Sequence, residues 1–255
     1  MVENGIAPQP APGQNVVGID LGEIHPATAT DGEEAVVFSA RVLRATHQYT
    51  AKRLAELKSL QDKGKTKHSR RWKRLQRRKS RFLAKQKRRT RDIEHKLSRA
   101  VVDFAVERQA GTIAIGDVRD VADGKRLGAK SQQKVGLWSH GKLREYIAYK
   151  AEGAGLAVPE PIDEAYSSQT CPNPACGHRH KPRGRVYLCP KCGLVAHRDV
   201  VGAVNILSRY QTGQVGHLPA PPLSAVKYRH PFVTDSLQTG KRSRLDTAQV
   251  AREVA

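Results

Sequence analysis

The sequence is short of several residue types, and each shortage excludes a class of protein. Long apolar runs are absent, and no stretch approaches the roughly 20 residues that a membrane-spanning helix needs. The first 14 residues contain no Lys or Arg, which is unlike a signal or transit peptide. Only 5% of the 255 residues are aromatic. These shortages predict a cytoplasmic protein with no membrane partner, and residues 1–15 are expected to be a disordered lead.

Acidic residues are scarce relative to basic ones. The chain has 45 Lys and Arg against 24 Asp and Glu, a formal net charge of +21. A charge of this size favours a polyanionic partner, of which nucleic acid is the usual one, and a membrane surface is the second choice.

Cysteine is also rare, and its spacing is informative. The four cysteines form two close pairs in Pro- and Gly-containing turns, Cys171 with Cys176 and Cys189 with Cys192. This spacing is typical of a structural zinc ribbon with four thiolate ligands, here inserted over residues 168–196. Two disulfides would need an oxidising compartment, and a redox motif normally stands alone. His178 and His180 are expected to be surface residues of the ribbon.

Apolar periodicity predicts an α/β fold. Three strands joined by tight turns, with Asp31-Gly32 as a hairpin signal, precede a helical region, a fourth strand, a helix, a fifth strand and a last helix. The predicted later elements are a strand over 111–118, a polar loop over 119–136, a helix over 138–152, an edge strand over 156–164 and a helix over 199–209. This order suggests an RNase H-like mixed sheet over 16–210 with the ribbon inserted before the last helix. Residues 211–255 are expected to form a largely disordered tail.

A basic helical segment is predicted over residues 49–110. Between Lys63 and Arg91 there are 16 Lys or Arg and no acidic residue, while apolar residues recur at helical spacing. The pattern predicts two long helices around a break near Gly64. A helix of one charge sign repels itself unless an anion lies along it, which favours binding to a phosphate backbone over a merely solvated face. The expected nucleic-acid contacts are Arg70, Arg71, Arg74, Arg77, Arg78, Arg81 and Arg88.

Together the motifs resemble the TnpB/OrfB family, which includes RNA-guided relatives of the compact type V CRISPR nucleases. They are Gly18-Ile19-Asp20-Leu21-Gly22, the stretch 166–171, Cys189-Pro190-Lys191-Cys192-Gly193, and Arg198-Asp199 followed by Ala203 and Asn205. The resemblance implies a RuvC nuclease domain in which three acidic residues hold divalent metal for phosphodiester hydrolysis. Asp20 matches the first acid and Asp199 the last, and oxygen ligands of this kind suit Mg²⁺.

The middle acid is missing from its usual place. Where the family usually has Glu in the fourth strand, this chain has Gly116. Glu164, at the end of the fifth strand, could reach the same metal if that strand pairs with the fourth. Asp117 is the lesser alternative, since side chains alternate along a strand and its carboxylate should point to the opposite face. An inactive site is the third possibility.

The resemblance implies a transposon-encoded, RNA-guided DNA endonuclease that uses a structural Zn²⁺ and a catalytic Mg²⁺ and binds DNA and a guide RNA. Family members normally carry a substantial N-terminal half before the first RuvC strand, which is expected to be missing here. His197, Val201 and Gly202 also stand where the family favours Asp, Asn and Ala. The alternative is a nuclease-dead or truncated nucleic-acid-binding remnant of the same family.

Overall fold

The computed structural model of the protein describes residues 9–63, 66–119, 128 and 140–231. Its elements in chain order are strands β1 (Asn15–Asp20), β2 (Ala27–Thr30) and β3 (Ala35–Phe38), helices α1 (Arg41–Asp62) and α2 (Arg70–Glu107), strand β4 (Ala110–Asp117), helix α3 (His140–Gly153), strands β5 (Ile162–Asp163), β6 (Val186–Leu188) and β7 (Val195–His197), helix α4 (Arg198–Thr212), a single 3-10 turn (Leu223–Ala225) and strand β8 (Val226–Arg229).

Six strands form one mixed sheet in the order β5-β4-β1-β2-β3-β8. β1 to β3 pair antiparallel, whereas β4 runs parallel to β1, β5 parallel to β4 and β8 parallel to β3. The predicted α/β class, the three-strand start and the edge position of the fifth strand are confirmed. That strand is only Ile162–Asp163, however, because Pro159 and Pro161 precede it and lack the N–H that a ladder requires.

The basic segment forms the two predicted helices, and the first begins earlier than expected, at Arg41. α1 and α2 contact each other through the rings of Tyr49 and Phe82, whose centroids lie 5.8 Å apart. The C-terminal half of α2 carries the core contacts, with Ile93, Leu97 and Phe104 buried. The N-terminal half of α2 therefore projects from the sheet as a basic arm.

Helix α4 packs closely against the middle of the sheet. A Cβ placed on Gly18 of β1 would lie 2.6 Å from the backbone oxygen of Ala203 and 2.7 Å from Cβ of Leu207. The absence of a side chain at Gly18 therefore lets the helix approach β1, which brings the start of α4 beside the end of β1.

Two expectations about the ends of the chain are wrong within the described residues. Val226–Arg229 does not belong to a disordered tail, because it forms β8 and pairs with β3 along Ala35–Phe38. Residues 9–15 are not a free lead either, since Asn15 lies in β1 and its side-chain amide donates to the backbone oxygen of Arg108 at 2.9 Å. Pairing with β3 orders residues 226–229, and the hydrogen bond to Arg108 holds Asn15, although the local sequence of each segment does not favour a regular structure.

The predicted loop lies mainly outside the described residues, and the helix predicted from residue 138 is described from His140. In the described parts of the chain, no helix combines the length and the apolar character needed to cross a membrane.

Candidate metal centre and nucleic-acid interface

Asp20 is the last residue of β1 and lies against the start of α4. A Cβ placed on Gly202 would come within 2.8 Å of the Asp20 Oδ2, so the glycine leaves room for the carboxylate. Burial raises the pKa of Asp20 well above its usual range, and the negative charges of Asp199 and Glu164 raise it further. Asp199 and Glu164 therefore both lie close enough to Asp20 to disfavour its charged form.

Glu164 lies directly after β5, which pairs with the end of β4. Gly116 is opposite Ile162 in this pairing, and a Cβ on Gly116 would lie 3.0 Å from Oε2 of Glu164. The carboxylate of Glu164 thus occupies the space beside the position where a side chain at 116 would begin. Arg209 of α4 secures this segment by donating to Oδ2 of Asp163 at 2.6 Å and to the backbone oxygen of Ala165 at 3.3 Å.

Asp199 lies in the first turn of α4, and its carboxylate has two basic partners. His25 Nδ1 lies 2.7 Å from Oδ2 of Asp199, and a guanidinium nitrogen of Arg185 donates to the same oxygen at 2.8 Å. Burial alone would raise the pKa of Asp199, but the hydrogen bond with His25 and the charge of Arg185 outweigh it and lower the pKa.

The structure brings the three acids into one region without gathering their oxygens tightly. Among the described residues, groups of three or more metal-ligating side chains with all ligand atoms within 4.8 Å are the four cysteines and the set of His25, His197 and Asp199. Asp20 and Glu164 belong to neither set.

Asp117 is engaged elsewhere. Its carboxylate accepts two hydrogen bonds from Nε of Arg119, at 2.9 and 3.1 Å, and the backbone N–H of Arg119 also donates to it. The hydrogen bond from the Arg119 side chain is the main reason that the pKa of Asp117 is lowered. None of the charges that raise the pKa of Asp20 comes from Asp117.

The four cysteines converge as the zinc-ribbon spacing predicts. Sγ of Cys171 lies 3.6 Å from Sγ of Cys192, and Sγ of Cys176 lies 3.7 Å from Sγ of Cys189. Four thiolates about 2.3 Å from one ion would stand roughly 3.8 Å apart in a tetrahedron. The backbone N–H of Leu194 lowers the pKa of Cys192 to about 7, whereas burial raises the pKa of Cys171, so the case for zinc rests on the convergence of the four sulfur atoms. The cluster is therefore compatible with Zn²⁺.

Asn205 fastens the entry to the ribbon onto α4. This fully buried amide donates to the backbone oxygens of Ser167 at 2.6 Å and Thr170 at 2.8 Å, and its oxygen accepts from Gly216 N–H at 2.8 Å. The ribbon reaches back through Arg185, which bonds Asp199. The contacts of Asn205 and Arg185 thus link the cysteine cluster to the acidic corner, which is the region of Asp20, Glu164 and Asp199.

The basic arm presents one continuous positive face. A surface depression on α2 is lined only by basic side chains at helical spacing, namely Arg70, Lys73, Arg74, Arg77, Arg78 and Arg81. In the described part of α2, ion pairs involve Lys96 and Arg99 but no Lys or Arg from residue 70 to residue 91. The predicted contacts Arg71 and Arg88 lie on the same arm outside this depression.

Sequence reasoning missed three residues that shape this corner: His25, Arg185 and Arg209. His25 lies 174 residues from Asp199 and Arg209 lies 46 residues from Asp163, whereas Arg185 is only 14 residues from Asp199. An isolated His or Arg in a basic chain carries no local signal. Asn205 did carry one, because a polar amide among apolar residues of a helix interior needs buried partners.

Comparison with known proteins relates this chain to one family. The family described as OrfB_IS605, probable transposase, matches residues 1–122, and the Cas12f1-like TNB domain matches residues 140–206. The chain belongs to the TnpB/OrfB family, which is related to the type V nucleases.

Two curated relatives support this membership. A TnpB-like protein of Methanocaldococcus jannaschii is 30% identical over 148 residues, covering 57% of this chain and 51% of the relative. The CRISPR-associated endodeoxyribonuclease Cas12f1 of Sulfoacidibacillus thermotolerans is 34% identical over 115 residues, covering 44% of this chain and 25% of that protein. The chain thus spans about half the length of the first relative and a quarter of the length of the second.

Solved structures agree at the level of the fold. A Cas12f1–sgRNA–target DNA complex matches with a TM-score of 0.57 at 17% identity, over 79% of this chain and 50% of that one. A CRISPR–Cas12f ternary complex matches with a TM-score of 0.59 at 17% identity, over 81% of this chain and 40% of that one.

Proposed function

We propose that the protein is an RNA-guided, metal-dependent DNA endonuclease with an RNase H-like (RuvC) site, in which Asp20, Glu164 and Asp199 bind Mg²⁺. The observation that carries this proposal is the position of Glu164 Oε2, 3.0 Å from where a Cβ at Gly116 would lie. Glycine at 116 is then not the loss of a ligand, because it makes room for a carboxylate supplied by the neighbouring strand.

The electrostatics of Asp20 support a cation at this place. Burial and the charges of Asp199 and Glu164 all raise its pKa, so this carboxyl is costly to ionise unless a cation such as a divalent ion lies beside it. When bound, Mg²⁺ would activate water and stabilise the charge that develops on the phosphate oxygens. The protein's own part is to hold the acids from three elements: the end of β1, the residue after β5 and the first turn of α4.

The basic arm supports a nucleic-acid partner. The depression from Arg70 to Arg81 spans 11 residue steps, about 16 Å along the helix axis, which matches about five nucleotides of one strand. The related Cas12f1 was solved with single-guide RNA and target DNA. A guide RNA and DNA are the partners proposed for this chain.

Cleavage by acid variants tests the proposal. The full chain, purified with its bound RNA, should cut DNA complementary to that RNA in Mg²⁺. Glu164→Gln should cut at least about 100-fold more slowly, because a metal ligand supports several kcal/mol of transition-state stabilisation. Asp117→Asn is the matched control and should cut at close to the wild-type rate. Unimpaired cutting by Glu164→Gln would show that the relocated acid is wrong, and loss in Asp117→Asn would move the role to Asp117.

A nucleic-acid-binding remnant without nuclease activity is the second candidate. The observation that favours it is the pairing of Asp199 with His25 and Arg185, which directs this carboxylate toward cationic partners. It predicts binding that weakens steeply with salt, through the basic arm, and no cutting in Mg²⁺ by the wild-type chain.

A further inference from the structure

His25, His197 and Asp199 form a compact cluster of potential metal ligands from two separate parts of the fold. One ligand atom from each lies within 4.8 Å of the others. His25 comes from the segment between β1 and β2, His197 ends β7, and Asp199 lies in the first turn of α4. The junction of β7 and α4 thus supplies one imidazole and the carboxylate, and the distant segment between β1 and β2 supplies the second imidazole.

His197 supplies a second, independent observation. The residue is 7% exposed, and its Nδ1 is buried with no hydrogen-bond partner among the described residues. A buried ring nitrogen without a partner costs free energy unless something binds it. The rings of His25 and Tyr228 lie close to this imidazole, with centroids 5.6 and 6.0 Å away.

The spacing fits coordination as well as hydrogen bonding. His25 Nδ1 and Asp199 Oδ2 are 2.7 Å apart. Two ligands each about 2.1 Å from one ion, at right angles, would stand about 3 Å apart. An ion could therefore take the place of the proton between these two atoms with a shift of only a few tenths of an ångström.

We propose that His25, His197 and Asp199 bind one divalent transition-metal ion. Imidazole nitrogen suits ions such as Zn²⁺, Co²⁺ and Ni²⁺, whereas Mg²⁺ prefers oxygen, so this site differs in preference from the three-carboxylate centre. The inference rests on the proposed function in one respect, because Asp199 serves both sites.

Arg185 opposes the ion. Its guanidinium lies 2.8 Å from Oδ2 of Asp199, so a cation bound there would meet a positive charge. The Arg185 side chain is 36% exposed and can turn into solvent. Arg185→Gln removes the charge and is expected to tighten metal binding.

Titration with Co²⁺ tests the site without any measurement of cleavage. The untagged full chain, with zinc kept in the ribbon, should take up one further equivalent of Co²⁺. The bound Co²⁺ should give visible absorption bands typical of nitrogen and oxygen ligands. A thiolate-to-metal charge-transfer band, which would show that Co²⁺ had replaced the zinc of the ribbon, should be absent. Its affinity for Co²⁺ should exceed that for Mg²⁺ by at least about tenfold. His25→Ala and His197→Gln should each weaken Co²⁺ binding by at least about tenfold.

Two variants make the result specific. His47→Gln changes a part-buried histidine of α1 outside the cluster and should bind Co²⁺ like wild type. Asp117→Asn, which changes an acid outside both proposed metal sites, should also bind Co²⁺ like wild type. Because the readout is binding, a chain that never cuts DNA can still uphold this site. Equal Co²⁺ affinity in wild type and His25→Ala, which alters only the loop between two strands, overturns the proposal even if His197→Gln fails to fold.

Discussion

Asp20 and Asp199 are the same residue type and interact electrostatically, yet their pKa values move in opposite directions. Asp20 has acidic neighbours and loses water, so its pKa rises, whereas Asp199 has His25 and Arg185, so its pKa falls. The difference arises from charge partners rather than from burial, because burial raises the pKa of both. One acid is thus held ionised, and the other is costly to ionise without a cation.

Replacing Asp20 with Asn should stabilise the metal-free protein in a pH-dependent way. Because the folded pKa of Asp20 lies above the unfolded value of 3.8, the free energy of unfolding falls as pH rises from that value through the folded pKa. Asp20→Asn removes this loss, so its advantage over wild type should be larger at pH 7 than at pH 4. Urea unfolding in magnesium-free buffer measures it.

Asp92→Asn, on the exposed face of α2, is the control for this experiment and should show no such gain. An Asp20→Asn advantage of the same size at both pH values would contradict the electrostatic account.

Among the elements, the position of α4 against the sheet depends on its close contact with Gly18 of β1. A Cβ at Gly18 would lie 2.6 Å from the backbone oxygen of Ala203. Because that oxygen belongs to the helix backbone, the contact could be relieved only by moving α4 or β1 as a whole. Both Asp199 and Asn205 lie on this helix, which means that its distance from the sheet sets the geometry of the acidic corner.

Gly18→Ala should therefore destabilise the fold by about 1–3 kcal/mol, the usual cost of overpacking a tight core. Gly141→Ala in α3 is the matched control, since a Cβ there meets nothing within 4 Å, and it should be neutral or stabilising. Denaturant unfolding of the two variants gives the comparison. Equal stability of Gly18→Ala and wild type would show that α4 can withdraw from the sheet without cost.

Across the whole molecule, the ribbon and the sheet are connected rather than merely adjacent. Asn205 binds the entry to the ribbon at Ser167 and Thr170, and Arg185 at the base of β6 bonds Asp199. Loss of ribbon structure should therefore change the position of Asp199 at the acidic corner.

Cys189→Ser should release zinc and lower DNA cleavage as well. The expected loss of cleavage is at least about tenfold, comparable with the effect of removing a partner that orients a metal ligand. Metal analysis and cleavage assays on the same samples test the coupling, with His178→Ala as a control that should keep both zinc and activity. Wild-type cutting by a zinc-free variant would reduce the ribbon to a separate binding module.

Much of the fold could be predicted because its signals are local. The apolar run before Asp20, the Asp31-Gly32 turn and the basic helical periodicity each specify an element within a few residues. The cysteine spacing likewise encodes its own cluster, since each pair is closed by a tight turn.

The remainder depends on pairing between distant segments. β8 is a short, polar strand after a Pro-rich stretch, and only the open edge of β3 makes it a strand. His25 joins Asp199 across 174 residues of sequence, a contact that no local pattern encodes. The position of Glu164 beside Gly116 was predicted from the pairing of the fourth and fifth strands, and its role as a metal ligand stays a prediction.

The order of the basic arm and Asp199 along the chain also decides which of them is synthesised first. The basic arm is complete at Glu107, whereas Asp199 comes 199 − 107 = 92 residues later. At about 5–20 residues per second, a ribosome needs roughly 5–18 s to cover that distance. A nascent chain therefore carries its basic arm for seconds before the last acid exists, so under the proposed function it would bind RNA before it could cut DNA.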